Sequence, residues 1–79
     1  MDYKQLGKFI AQARKEKQCA QQTLSDRLDI SRATISALEK GRAGDVGMRK
    51  VMKILDYLGY EITVRERSPF PTLEELRDG

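Results

Sequence analysis

Leu6, Ile10 and Ala13, with Phe9 beside them, are separated by lysines and glutamines at three- and four-residue intervals. That period marks the buried stripe of an amphipathic helix and predicts one from Tyr3 to about Lys17. Its closing run, Arg14-Lys-Glu-Lys-Gln, places positive charge at the negative end of the helix dipole. Leu24 and Leu28 carry the pattern into a second helix that opens at Ala20 or Gln21, and Ile35 and Leu38 into a third that follows Ser31. Ser31 is a good N-cap, whereas Ala20 in the same role is worse by about 1 kcal/mol. Asp29 stands at the turn between the two helices, being one of the few non-glycine residues that enter the left-handed region. Gly41 is placed to end the third helix, and the loop to Gly47 holds three glycines in seven residues. Val51, Ile54, Leu55 and Leu58 predict a fourth helix from about Met48 to Leu58, capped by Gly59.

After Gly59 the period changes to two. Tyr60, Ile62 and Val64 alternate with Glu61, Thr63 and Arg65, the pattern of a half-buried strand over 60–67. The chain offers no second strand, so the simplest pairing for the backbone groups of this one is the same strand of a second copy, antiparallel across a twofold axis. Residues 68–79 form a tail with Pro69 and Pro71, followed by Thr72-x-x-Glu75, a capping-box signature for a helix of one or two turns. A helix that short is marginal unless Phe70, Leu73 and Leu76 dock on something.

Composition narrows what such a chain can do. Seventy-nine residues make one small domain near the lower limit of a single apolar core, which favours dimerisation. No apolar run approaches the roughly 20 residues that span a bilayer, and no signal peptide is visible, so a soluble cytoplasmic protein is expected. Without histidine and with Cys19 as the lone cysteine, neither an internal disulfide nor a metal site is expected, and no cofactor is called for. Cys19 reads as a structural thiol. The net charge of +3 is unevenly placed: residues 1–53 carry 12 Lys/Arg against 6 Asp/Glu, and residues 54–79 carry 3 against 6. The helix pair therefore lies in the basic part, which suits a polyanion such as double-stranded DNA.

The segment from Gln21 to Gly41 has the layout of a helix-turn-helix reader: two short helices hinged at Asp29-Ile30-Ser31, the second presenting small polar side chains outward. Gln21, Leu24, Leu28, Ile30, the run Ser31-Arg-Ala-Thr-Ile-Ser, the ending Leu38-Glu-Lys-Gly41 and Leu58-Gly59 together resemble the lambda-repressor-like, or Xre/Cro, family over residues 6–59. The glycine-rich loop, the Leu-Asp-x-Leu-Gly ending, the single strand and the tail resemble more narrowly the HipB-type antitoxins. The chain departs from the broad family at Ala20, where a capping Thr is usual, at Ser25, where Ala packs, and at Asp29, where Gly is common.

The resemblance implies a mainly α fold: a four-to-five-helix DNA-binding domain over 1–59 with its reader at 21–41, a dimerisation strand at 60–67 and a tail at 68–79. It implies that Arg32, Ala33 and Ala37 face base edges in the major groove, with Arg32 suited to a guanine through two parallel donors, worth about 1–3 kcal/mol of discrimination. Phosphate contacts are implied for Gln21, Ser31, Thr34, Ser36, Lys40 and Arg42, with Arg49 or Lys50 outside them. Arg14 and Glu39 match a structural salt bridge between the first and third helices. Tyr60, Ile62 and Val64 would build the dimer.

The implied function is a homodimeric repressor on an inverted repeat. More narrowly, it is an antitoxin and autorepressor that captures a HipA-like kinase toxin. The alternatives are a phage repressor, a restriction–modification controller, or a protein-interaction adapter that has lost DNA binding; the alanines at 33 and 37 give the adapter its weight. An enzyme is not expected: there is no His, no reactive thiol environment and no phosphate-binding glycine loop of the required pattern. Glu74-Glu75 reads as capping and solubility rather than a catalytic pair.

Overall fold

The computed structural model describes residues 2–42 and 46–67. Four helices follow one another among these residues: α1 (Tyr3–Glu16), α2 (Gln21–Leu28), α3 (Arg32–Glu39) and α4 (Met48–Tyr57). Helix α3 packs against α1 and α2, and α4 closes the other side of α2. The positions of the apolar stripes explain this arrangement. Ile10 and Ala13 of α1, Leu24 of α2, Ile35 and Leu38 of α3, and Val51, Ile54 and Leu55 of α4 meet in one core that Ile30 and Leu58 complete. Leu28, expected inside, is only partly buried at the margin of that core, together with Leu6, Phe9, Cys19 and Val46.

Each helix ends on a residue in the left-handed region. In α3 the amide of Gly41 (φ 70) donates to the Leu38 carbonyl at 3.0 Å and that of Arg42 to the Ala37 carbonyl at 2.8 Å. This pair of reversed bonds is the Schellman closure, and it satisfies carbonyls that the helix leaves open. Helix α4 closes the same way around Gly59 (φ 90). At the other two ends the left-handed residue is Gln18 (φ 54) after α1 and Asp29 (φ 57) after α2. A side chain in that conformation costs roughly 1–2 kcal/mol relative to glycine.

The helix starts differ as well. Asp2 caps α1, its carboxylate accepting from the Gln5 amide at 2.8 Å while the Gln5 side chain accepts from the Asp2 amide at 2.9 Å. Ser31 caps α3 by accepting from the Thr34 amide at 3.1 Å. Helix α2 begins at Ala20 with no side-chain cap.

Gly7 sets how closely the first and third helices approach. A Cβ at this position would overlap the carbonyl oxygen of Leu38 and lie 3.1 Å from that of Glu39. Only hydrogen fits between the helix backbones at this point.

The strand expected at 60–67 is not assigned, and no ladder is found among the described residues. A ladder needs a partner, and a single copy of this segment has none. Tyr60 instead lies edge-on to Phe9, with ring centroids 4.9 Å apart and planes at 77°. It therefore packs on its own helix α1, while Ile62 is 43% exposed and Val64 95%. The tail helix expected from Thr72 and the loop residues 43–45 lie outside the described residues.

Candidate nucleic-acid interface

Helix α3 is held from beneath by Ile35 and Leu38, both fully buried. Its opposite face is therefore fixed relative to the rest of the domain. Arg32 and Ala33 are exposed on the first turn of that face, while Thr34, Ser36 and Ala37 are half-buried on its flanks. Lys40 and Arg42 are exposed just beyond its end, and Arg49 is exposed on α4. Ala37 is less open to a large partner than Arg32, because part of its surface is already covered.

Ser31 and Thr34 share their hydroxyls. The two oxygens are 2.7 Å apart, and Ser31 Oγ also accepts the Thr34 amide. One hydroxyl hydrogen is consumed in this pair, so the two side chains together have one hydroxyl donor left for an outside acceptor.

The start of α2 and the end of α3 are joined by a polar network. Arg14 donates from Nε to Glu39 Oε2 at 2.7 Å and from Nη2 to Oε1 at 3.1 Å, and its Nη1 reaches the Cys19 carbonyl at 2.8 Å. Gln21 Nε2 donates to Glu39 Oε1 at 3.0 Å. The Arg14 and Glu39 side chains are only 11% and 7% exposed. Hydrogen bonding to Glu39 raises the Arg14 pKa above its ordinary value, against the opposing effect of burial. The guanidinium is thus a permanent cation that fixes α1, α3 and the turn before α2 together.

Gln21 is the residue whose surroundings sequence patterning misses most. It is half-buried, and its side chain is already engaged by Glu39. The first-turn amides of α2 have no side-chain cap, so this helix presents open donors at the positive end of its dipole.

Tyr3, Leu6, Phe9, Met48, Val51 and Ile62 are among the residues lining an apolar groove of about 660 Å³. Of the residues expected to dimerise, Tyr60 and Ile62 line this groove and Val64 does not.

A family model described as a helix-turn-helix domain matches residues 7–64. The chain belongs to this family. The match covers most of the sequence and takes in all of α2, α3 and α4. A helix-turn-helix domain points to a DNA-binding regulator, and α2 and α3 form its bipartite element. No curated protein and no solved structure gives a significant match to the chain. Among the described residues no helix is long and apolar enough to cross a membrane.

Proposed function

We propose that this helix-turn-helix protein is a sequence-specific, lambda-repressor-like transcriptional repressor, acting in the cytoplasm as a homodimer on an inverted-repeat operator. The observation that carries the reading is the exposed first turn of α3, with Arg32 and Ala33 outward over a buried Ile35 and Leu38. In this reading α3 enters the major groove. Arg32 reads a guanine edge, and Ala33 and Ala37 offer apolar contact to thymine methyls. Gln21 and the uncapped amides of α2 take one phosphate, the Ser31–Thr34 pair and Ser36 take others, and Lys40, Arg42 and Arg49 neutralise the flanking backbone. The protein is a binder and not an enzyme.

Dimerisation in this proposal runs through Ile62 and Val64, which are apolar and exposed on a segment with period-two patterning. The narrower reading is an antitoxin that represses its own operon and captures a HipA-like kinase. It rests on the resemblance of the loop, strand and tail to that group.

The test is binding of the full chain to its own upstream region across a salt titration. Affinity should fall steeply with salt, and Arg32→Ala should flatten the preference for that region over random duplex. An Arg32→Ala protein with unchanged preference removes the base-reading role. Absence of DNA binding at low salt favours the adapter reading, for which Ala33 and Ala37 supply the smooth surface.

A further inference from the structure

We propose that Glu39 is a positioning residue for DNA binding, acting through Gln21 to hold the phosphate contact at the start of α2. The inference rests on the DNA-binding reading above and adds a residue that does not itself face DNA.

A carboxylate only accepts hydrogen bonds, so the end of the Gln21 carboxamide that meets Glu39 is its NH2 group. That nitrogen carries two hydrogens. One is directed at Glu39 Oε1, which leaves the other free. Phosphate oxygen is also only an acceptor, so a single NH2 group can bridge Glu39 and a backbone phosphate without the amide turning over. If the carboxylate were absent, the Gln21 side chain would have to select one rotamer and one amide orientation on binding. Ordering such a side chain weakens affinity by about three- to tenfold.

Glu39 is itself immobile. Its two oxygens receive two bonds from Arg14, and the Arg14 guanidinium is anchored in turn by the Cys19 carbonyl. Arg14 also cancels the charge that would otherwise repel the phosphate. Glu39 is the last residue of α3 and Gln21 the first of α2, so the link ties the phosphate contact to the base-facing helix. Register along the backbone and register in the groove then become one setting.

The experiment is a double-mutant cycle on the full chain, read as affinity for a random duplex of about 30 base pairs at low salt, where phosphate contacts dominate. Gln21→Ala is measured in the wild type and in Arg14→Met/Glu39→Leu, which removes both charges and strands neither. The expected loss is about three- to tenfold in the wild type and under about twofold in the double variant. A purely structural ion pair would shift thermal unfolding and leave the two losses equal, and equal losses overturn the inference. If that double variant does not fold, Arg14→Leu/Glu39→Met replaces it. Position 39 again offers the Gln21 amide no acceptor, so the Gln21→Ala loss must shrink to under about twofold, and an undiminished loss overturns the proposal. A wild type that binds duplex while Gln21→Ala costs nothing removes this inference alone. A wild type that binds no duplex removes the DNA reading and this inference with it.

Discussion

The α2–α3 pair and the segment after α4 both carry clean apolar periodicities, yet the chain treats them differently. In the helix pair Leu24, Ile35 and Leu38 are fully covered, and the polar groups at the joint are bonded to one another. In the segment, Tyr60 turns back onto Phe9 and Ile62 lines the groove beside it at 43% exposure, while Val64 stands 95% exposed. Periodicity states which face is to be buried. Whether a single copy can bury it depends on what lies opposite: α3 finds α1 and α2 there, whereas the segment finds the shallow groove for Tyr60 and part of Ile62 and nothing for Val64.

Disturbing the filled side of this comparison should cost most. Ile35→Ala empties a fully enclosed site and should lower the unfolding free energy by about 2–5 kcal/mol, measured by denaturant titration. For a domain of this size that is a large share of the total, and the variant should be partly unfolded at physiological temperature. Glu39→Ala should cost about 3 kcal/mol by the same measurement, because it strands the Arg14 charge at an 11% exposed position. Arg14→Met/Glu39→Leu should recover most of that loss. A double variant as unstable as Glu39→Ala would show that the pair itself, and not the orphaned cation, is what the fold requires.

Gly7→Ala should cost about 1–3 kcal/mol despite a helix-propensity gain of roughly 1 kcal/mol, since the new methyl meets backbone carbonyls that cannot rotate away. A stabilised variant would mean that α1 and α3 can separate without loss. This position also shows where sequence reading stops. The four helices are legible because the apolar stripe encodes burial directly and Gly41 and Gly59 mark two of the ends. Gly7 reads only as a weak helix residue, because its reason is a backbone approach from residues more than thirty positions away. The Asp2–Gln5 cap is legible in its three-residue spacing. The Gln21–Glu39 bond is not, since 18 residues separate the partners and neither position is apolar. Val64 shares its period with Tyr60 and Ile62 but not their environment, because the first two positions line the groove beside α1 and Val64 lies beyond it.

A smaller effect, of opposite sign, is expected at the ends of the helices. Gln18 and Asp29 occupy the conformation that Gly41 and Gly59 adopt freely. Gln18 is exposed, and its side chain makes no hydrogen bond among the described residues. Gln18→Gly should therefore stabilise by about 1 kcal/mol, the left-handed strain relieved less the entropy glycine adds to the unfolded chain. Thermal unfolding measures it. A destabilised variant would show that the Gln18 side chain contributes more than its backbone costs.

The smallest effect on folding should come from the open side of the comparison. Val64 is 95% exposed, so Val64→Pro removes almost no buried surface within one copy, and unfolding at low protein concentration should change by under about 0.5 kcal/mol. The same substitution deletes a backbone donor in the middle of the proposed intermolecular ladder, where proline is not tolerated. Sedimentation should therefore move from dimer to monomer, while the melting curve of dilute protein stays in place. A variant that remains dimeric would relocate the interface to the apolar groove beside Met48 and Ile62. One that unfolds when dilute would mean that the segment belongs to the fold of a single copy after all, and the contrast with the helix pair would be one of degree.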